Sequence, residues 1–535
     1  MLKYKIFFWW IVSTLITTHL FAAEWQWSVP VTGTVSKETN AHPTAFLWIP
    51  PNCKQLKGVI IAQHNMIEEG ILEHKSFRNN LARLGIAEIW ITPAPDMIYN
   101  FNSAATFEKM IKDLAEKSGY TELEFSPIIP IGHSAAASYP WNFAAYNPER
   151  TLAVLSIHGD APLTNMTGSG QPNPDWENRN IDGIPSLFVM GEYEWLEGRI
   201  APAIKYKNEH PNAPIALFCD AGHGHFDFSD ALIEYLNLFI TKAAKARLPK
   251  KFLSTGPVEL IAVHPEKGWL IDRWRSSAPP IAEASSFKNY RGNKAEAGWA
   301  FDAEMAAVTE KYYALARGKK IRNIGYMQNG KLLQPAGFAG FRPVFKPLGD
   351  GLSFHLTAVN IDAKNNTVET ADHAPKINIT RICGPVIKVD DSTFKVSFYR
   401  MGFDNPKRSN DIWFMASQNG DNGYKSAVQQ ADMRIPISNK QGKEQKISFI
   451  APADQKQGVK TVKLNATSDA GVPVEYYIKE GPAEIIGRQL FLTKIPPRTK
   501  FPVKVIVVAW QYGYDNEERK IKSADPVERS FVIYK

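Results

Sequence analysis

A serine flanked by small residues is the part of this chain whose residue types could do chemistry. Ser134 lies in Gly132-His133-Ser134-Ala135-Ala136, which follows the apolar run 128–131 and precedes a helix-compatible stretch over 135–145. A sharp turn from a strand into a helix presents a serine hydroxyl at the edge of a sheet. Its neighbours must be small because the turn is crowded. The pattern predicts that Ser134 is a nucleophile.

The segments around Ser134 alternate between strand-like and helix-like patterns, as successive strand–helix–strand units do. The predicted strands are short apolar runs without alternation, which suits parallel strands covered on both faces. They cover 58–62, 87–92, 128–131, 152–157, 186–190 and 215–219. The predicted helices cover 77–84, 104–116 and 229–246. The expected fold class is therefore α/β, a mostly parallel sheet flanked by helices.

Residues 40–246 resemble the α/β-hydrolase superfamily. The resemblance rests on the serine turn and on the chain order of a serine, an acid and a histidine. It implies that Ser134 follows the fifth strand, Glu194 the seventh and His225 the eighth. It also implies that the three side chains meet at the carboxyl ends of parallel strands, where such sheets bind ligands.

A serine hydroxyl needs a base within hydrogen-bond reach, and two histidines compete for that role. His223 and His225 both lie in the loop after the predicted strand 215–219. We favour His225, because Gly222 and Gly224 would let this loop approach the serine turn closely. His223 remains the alternative.

The acid that orients the histidine also has more than one candidate. Glu194 follows the predicted strand 186–190 and is favoured. Glu192 lies in the same loop, and Asp160 follows the preceding predicted strand, where some members of the superfamily carry the acid. A carboxylate in this role fixes the histidine tautomer and stabilises the imidazolium.

The remaining site candidates would bind the reacting group. The N–H of Ala135 is the first predicted oxyanion donor, and the second is expected from Asn65 or Met66 in the loop after strand 58–62. Three further residues are candidates to line the substrate site. They are His64, which we expect to orient its loop rather than act as a base, His133, and Trp176 in the long polar loop 161–184.

The first 23 residues have the plan of a secretory signal peptide. Lys3 and Lys5 form a basic start, residues 6–20 an apolar core, and Ala22-Ala23 a small-residue end. We therefore predict export to the periplasm, the cell surface or the medium, with no stable membrane span once the leader is removed. An amino-terminal membrane anchor is the alternative.

Composition excludes several other classes of protein. The chain has 535 residues and a net charge of +8, but its charges are scattered, so no nucleic-acid partner is expected. Its three cysteines, Cys53, Cys219 and Cys383, are too few for a disulfide framework and do not have zinc-site spacing. We predict no cofactor and no metal.

The carboxyl-terminal half has a different texture and carries no recognisable catalytic motif. We expect a catalytic domain over 24–248, a mixed, mainly β accessory region over 249–450, and a β-sandwich over 451–535. In the last region, strands are predicted over 459–466, 474–478 and 503–509. Its pattern of turns and strands resembles Ig-like modules of exported bacterial proteins.

These features together predict a secreted serine hydrolase that cleaves carboxylic esters through an acyl-enzyme. Accessory β-sandwiches commonly hold enzymes near polysaccharides. The expected substrate is therefore an acylated carbohydrate or plant polymer. A peptidase of the same fold is one alternative. A surface binding protein with a degenerate hydrolase core is the other.

Overall fold

The computed structural model describes residues 24–166, 171–251, 256–337, 340–364, 367–369 and 374–535. The predicted signal peptide, residues 1–23, therefore lies outside the described residues. In the part that is described, no helix is both long enough and apolar enough to cross a bilayer.

An eight-stranded sheet forms the centre of the first half of the chain. Its strands lie in the order β1-β2-β4-β3-β5-β6-β7-β8. The pairs β1–β2 and β2–β4 are antiparallel, and the other five pairs are parallel. The strands are β1 (Trp27–Pro30), β2 (Thr44–Trp48), β3 (Gly58–Gln63), β4 (Ile86–Thr92), β5 (Ile128–His133), β6 (Val154–Ile157), β7 (Ser186–Gly191) and β8 (Ile215–Asp220).

The parallel strands are buried along their whole length, because packed elements cover both faces of the sheet. Alternate residues of β3 enter two different cores. Ile60 and Ala62 pack on one face, whereas Val59 and Ile61 pack on the other. A strand that must be apolar on both faces reads as a continuous apolar run, which is why these strands could be predicted from the sequence.

The helices around this sheet end at identifiable signals. Gly85 adopts the left-handed conformation at the end of α2, and the Ser229 hydroxyl accepts the N–H of Leu232 at the start of α6. The helix predicted directly after Ser134 begins only at Ser138, because residues 134–136 form a 3₁₀ turn. The helices are α1 (Glu68–Leu72), α2 (Lys75–Leu84), α3 (Ala104–Ser118), α4 (Ser138–Tyr146), α5 (Glu197–Glu209) and α6 (Asp230–Arg247).

The first part of the predicted accessory region packs directly on the sheet. Helix α7 (Ala303–Ala314) contributes Met305, Ala306 and Tyr313 to the same core as α6. The Tyr313 hydroxyl also accepts the N–H of Cys219 in β8. This region therefore covers apolar surface of the eight-stranded sheet.

The rest of the chain is rich in short strands arranged in small sheets. Residues between 324 and 435 share one core with Tyr477, Val508 and Trp510, while Phe449 belongs to a second core formed by the last part of the chain. The strands are β9 (Trp269–Ile271), β10 (Ser285–Ser286), β11 (Gly298–Ala300), β12 (Asn323–Gln328), β13 (Lys331–Leu332), β14 (Ser353–His355), β15 (Thr357–Ile361), β16 (Asn378–Cys383), β17 (Val386–Lys388), β18 (Thr393–Val396), β19 (Asp411–Gln418), β20 (Ala427–Arg434), β21 (Ile447–Ile450), β22 (Gln455–Lys456), β23 (Thr461–Val462), β24 (Asn465–Ser468), β25 (Glu475–Glu480), β26 (Ala483–Ile486), β27 (Gln489–Leu492), β28 (Val503–Trp510), β29 (Tyr514–Asp515), β30 (Lys520–Ile521) and β31 (Val527–Tyr534).

The boundary expected after residue 450 falls between two strands that pair with each other. Strand β21 is antiparallel to β24, so both belong to one unit. We therefore propose that the last unit begins before Ile447. The resemblance of this unit to Ig-like modules stays a prediction.

A buried ionic cluster joins the β-rich half to the unit built on the eight-stranded sheet. The Arg400 guanidinium donates to Glu69 at 2.6 Å and also to Glu73, and the Tyr399 hydroxyl donates to Glu69 at 3.1 Å. Charges taken out of water must be paired. Separating the β-rich half from this unit would therefore leave several buried charged groups without partners.

Candidate active site

Ser134 sits on a strained turn between β5 and α4. Its φ of +51° lies in the left-handed region, which residues other than glycine rarely adopt. The turn is also crowded, because a Cβ on Gly132 would lie 2.0 Å from the carbonyl oxygen of Ala136. The glycine before the serine is therefore required by packing, as expected for a turn that exposes a hydroxyl at the sheet edge.

Substitution of Gly132 by alanine is expected to lower the free energy of unfolding by about 1–3 kcal/mol, because the added methyl group meets backbone that cannot move away cheaply. The control is Gly198→Ala in α5, where an added Cβ meets no heavy atom within 4 Å. Alanine favours the helix there, so stability should be equal or slightly higher. Urea unfolding of both variants measures the difference, and equal stabilities would contradict the crowding argument.

The side chains of Ser134, His225 and Glu194 form one hydrogen-bonded chain. His225 Nε2 lies 2.7 Å from Ser134 Oγ, and His225 Nδ1 lies 2.5 Å from Glu194 Oε2. With the ring proton on Nδ1, Nε2 is free to accept the serine proton. The geometry thus brings together the three residues favoured from the sequence, and their catalytic roles are taken up below as a proposal.

Four donors hold the Glu194 carboxylate. Besides His225, they are Arg199 Nη1 at 2.7 Å, His158 Nδ1 at 3.0 Å and the N–H of Gly191 at 3.2 Å. Burial alone would raise the pKa of Glu194. The hydrogen bonds from His158 and His225 outweigh burial and hold this pKa well below its usual range. The acid is therefore an oriented, ionised carboxylate.

The alternative base and acids have other partners in the structure. His223 Nδ1 pairs with Asp227 at 2.6 Å. Glu192 accepts the ammonium of Lys425 at 2.5 Å. Asp160 accepts the hydroxyl of Ser138 at 3.0 Å and the N–H of Met166 at 2.9 Å, so it fixes the start of the 161–184 loop.

His64 and His133 are buried beside the site and contact other protein groups. His133 is fully buried, and its Nε2–H donates to the carbonyl oxygen of His225 at 2.7 Å, which positions the histidine loop. His64 is buried against Trp90 and is hydrogen-bonded to Thr92 Oγ1 at 2.8 Å. Burial lowers the pKa of both imidazoles. Their burial and hydrogen bonds favour a positioning role, as expected for His64, over the substrate contact predicted for His133.

Trp176 does not offer a ring to a substrate either. It is only 3% exposed, and its indole N–H donates to Asn142 Oδ1 at 2.8 Å. Its ring packs edge-to-face on Tyr206 with 5.7 Å between centroids. Burial of an aromatic ring with its polar tip satisfied is a packing role, so Trp176 anchors its own part of the chain to the core.

The second oxyanion donor expected from Asn65 or Met66 is not free in this structure. Both N–H groups donate to the carboxylate of Glu68, at 3.2 and 2.7 Å. Glu68 also accepts the N–H of His133 at 3.0 Å. Burial raises the pKa of Glu68 to about 7 despite these hydrogen bonds. This carboxyl group links the loop after β3 to the serine turn, and no motif in the sequence pointed to it.

The β-rich half reaches the catalytic loops at several points. Arg408 donates to the carbonyl oxygen of Asn65 at 2.5 Å, and Trp413 lies 5.5 Å, centroid to centroid, from Phe226, the neighbour of His225. These contacts join residues more than 180 positions apart, and no local pattern in the sequence could have found them. The second half of the chain therefore packs against the loops that carry the predicted site residues.

Asp220, His223 and Asp227 place possible metal-ligand atoms within 4.8 Å of one another. Hydrogen bonds already connect them to the protein. Asp227 accepts the N–H of Gly224 at 2.9 Å in addition to His223, and Asp220 accepts the hydroxyl of Tyr312. The two carboxylates overcome burial and raise the pKa of His223 to about 9. We interpret the group as an ion-paired cluster behind the histidine loop.

No protein-family model matches the chain, and no curated protein is significantly similar to it. Solved structures do match its first half. The serine hydrolase FphF of Staphylococcus aureus is 14% identical, with a TM-score of 0.29, and the match covers 41% of this chain and 97% of that one. Est1E from Butyrivibrio proteoclasticus is 16% identical, with a TM-score of 0.27 over 40% of this chain and 98% of that one.

A third matching structure is an acetyl ester-xyloside bifunctional hydrolase from Caldicellulosiruptor lactoaceticus. It is 13% identical, with a TM-score of 0.28, and the match covers 42% of this chain and 94% of that one. Similarity at this level adds nothing to what the strand order and the site show directly.

The fold is assigned from the molecule itself. A mostly parallel eight-stranded sheet carries a strained serine turn after β5, a carboxylate after β7 and a histidine after β8. Residues 27–247 therefore have the fold of the α/β-hydrolase superfamily. The fold class predicted from the sequence is confirmed, and the β-rich half is appended to this unit.

Proposed function

We propose that the protein is a serine hydrolase that cleaves carboxylic esters through an acyl-enzyme on Ser134. The observation that carries the proposal is the hydrogen-bonded chain from Ser134 Oγ through both ring nitrogens of His225 to Glu194. A weak nucleophile, a base in contact with it and a carboxylate that fixes the base are the parts that this chemistry requires.

Acylation would begin with transfer of the Ser134 proton to His225 Nε2 as Oγ attacks the ester carbonyl carbon. The negative charge that develops on the carbonyl oxygen would be stabilised by the N–H of Ala135, the residue directly after the nucleophile. His225 then gives its proton to the leaving alkoxide, and the alcohol departs. Glu194 stabilises the imidazolium that exists between these two proton transfers.

Deacylation would repeat the same steps with water as the nucleophile. His225 takes a proton from water as the hydroxide attacks the acyl carbon, and it returns that proton to Ser134 Oγ as the ester bond to the enzyme breaks. The products are a carboxylic acid and the free serine.

We propose an ester carried by a carbohydrate or plant polymer as the substrate. The support comes from the appended β-rich half, which contacts the catalytic loops through Arg408 and Trp413 and so adds surface beside the site. An extended substrate would contact both halves, whereas a small ester would need only the first. This choice rests on analogy with accessory sandwiches of other enzymes.

Turnover of a chromogenic short-acyl ester, measured beside turnover of an aminoacyl amide, tests the proposal. We expect the ester to be hydrolysed, with a burst of the chromogenic alcohol when deacylation is slower than acylation. Preference for the amide would indicate a peptidase. Absence of turnover on both, combined with retention on an insoluble polysaccharide, would indicate a binding protein.

A panel of acetyl, feruloyl and methyl-uronate esters, each as a small model compound and as the matching polysaccharide, tests the substrate class. We expect kcat/KM to be higher on at least one polymeric substrate than on its small counterpart, because the second half would hold the polymer near Ser134. Equal values throughout would contradict a polymer-bound substrate and leave ester hydrolysis itself intact.

We also propose that the protein is exported, with cleavage after Ala23, on the pattern of its first 23 residues. The amino-terminal sequence of the protein recovered outside the cytoplasm should begin at Glu24. A protein that keeps residues 1–23 and sediments with membranes would support the anchor alternative.

A further inference from the structure

His158 is buried and strained at the end of β6, next to the triad acid. It is 0% exposed, and its φ of +49° lies in the left-handed region, as does that of Ser134 at the end of the neighbouring strand β5. Such strain persists only where the surroundings enforce it, and it clusters at functional sites. The backbone here has the conformation that aims the imidazole at Glu194.

The imidazole of His158 lies between two carboxylates. Its Nδ1 is 3.0 Å from Glu194 Oε1, and its Nε2 is 3.5 Å from Asp220 Oδ2. The other oxygen of Asp220 accepts the hydroxyl of Tyr312, which lies on α7 in the middle region. The chain of polar groups that starts at Ser134 thus continues beyond the acid to a residue outside the hydrolase sheet.

The surroundings favour a charged His158. Burial by itself would lower the pKa of this imidazole, but the hydrogen bonds and charges of Asp220 and Glu194 outweigh burial and raise it to about 10. At neutral pH the ring is then an imidazolium, which donates from Nδ1 to Glu194 and has its Nε2 3.5 Å from an oxygen of Asp220.

We propose that His158 is a positioning residue of the catalytic site, which holds the Glu194 carboxylate for His225 and is itself held by Asp220 and Tyr312. The inference rests on the proposed function, because it assigns a role relative to the triad. His158 would then be a cation at the end of β6. It lies two residues before Asp160, the alternative acid in the sequence analysis.

The charges around His158 determine what this arrangement does to the base. Glu194 and Asp220 face the ring, Arg199 lies on the same Glu194 carboxylate, and His133 and His223 interact with it electrostatically. A cation on the far oxygen of Glu194 weakens the negative potential at His225. The charge on His158 would therefore extend activity to lower pH.

The pH dependence of kcat/KM in His158→Gln tests this role. The rings of His158 and His225 are 6.5 Å apart, centroid to centroid. Loss of one charge at that distance should move the acidic limb of the profile to higher pH by about one unit. Asp220→Asn is the comparison, because it removes a negative charge and favours neutral His158 at once. Its limb should move much less, since these two effects oppose each other.

A second pair of variants tests the same chain with little risk to folding. Tyr312→Phe keeps the ring, which packs on Phe218 at 4.9 Å, and removes only the hydroxyl that Asp220 accepts. We expect kcat to fall about 3- to 10-fold with KM unchanged, because only part of the stabilisation of one hydrogen bond to a charged group would reach Glu194 through Asp220 and His158. Tyr313→Phe is the control, because that hydroxyl meets the backbone of Cys219 and not Asp220. Its kcat should equal that of the unaltered protein.

The outcomes separate this inference from the proposed function. If Ser134→Ala keeps full ester turnover, the proposed function fails. If Ser134→Ala is inactive while His158→Gln has an unshifted acidic limb, His158 is structural and the inference is overturned. Equal kcat values for Tyr312→Phe and Tyr313→Phe would also overturn the inference. This comparison remains available if His158→Gln does not fold.

Discussion

Replacing Ser134 with alanine is expected to lower kcat/KM for an ester by a factor of about 10³–10⁶, the range seen for members of a catalytic triad. The variant should fold as before, because only the hydroxyl that contacts His225 is lost. Thermal denaturation checks the fold, and initial rates on the chromogenic ester measure the loss. A fluorophosphonate probe should label the unaltered protein at Ser134 and leave the variant unlabelled.

Ser138 provides a matched control for this experiment. It lies four residues further along the chain, at the start of α4, it is buried, and its hydroxyl donates to Asp160 rather than to a histidine. Ser138→Ala should keep the ester rate within a few-fold and should still be labelled by the probe. Labelling at a residue other than Ser134, or full activity of Ser134→Ala, would contradict the assignment of the nucleophile.

The second large effect is expected from His225, and its neighbour His223 serves as the comparison. His225→Ala should abolish ester turnover, because it removes the imidazole that contacts Ser134 Oγ. His223→Ala removes an ion pair with Asp227 behind the loop and should cost much less activity. Since His223 is buried with that carboxylate, the same variant should lose more stability than His225→Ala.

Rates and melting temperatures of the two histidine variants separate these roles. The expected pattern is a crossed one, in which His225→Ala is inactive and stable while His223→Ala is active and less stable. Inactive His223→Ala with active His225→Ala would show that the base is His223, and the reading of the site would have to be reversed.

The parts of the fold that the sequence predicted are those set by local physics. Strand β3 must be apolar on both faces, so it appears as an unbroken run. Helix α6 has a serine cap and an apolar stripe, and it was predicted to within one residue at each end. The serine turn could be predicted because its crowding requires a residue without a Cβ at Gly132, two positions before Ser134. The chain order of the superfamily then pointed to the acid and the histidine.

The parts that could not be predicted depend on contacts distant in sequence. Glu68 and His158 have no motif, and only the folded chain brings them to the serine turn and the acid. The position of Trp176 in a polar loop predicts a substrate contact, whereas in the folded chain Trp176 packs in the core against Asn142 and Tyr206. The sequence predicts that the N–H of Asn65 or Met66 is an oxyanion donor. In the folded chain both N–H groups donate to the Glu68 carboxylate.

The pairing of Lys425 with Glu192 has a consequence for the order in which the folded site can form. Glu192 opens the loop that carries Glu194, and its carboxylate also accepts the N–H of Gly222 at 2.9 Å, so it ties the acid loop to the histidine loop. Lys425 follows Glu192 by more than two hundred residues. On the ribosome, the complete hydrolase sheet therefore emerges well before the residue that neutralises Glu192. Until that lysine arrives, the Glu192 carboxylate that joins the two loops lacks its ion-pair partner. We therefore expect the two loops to reach their final arrangement only after the second half of the chain has been made.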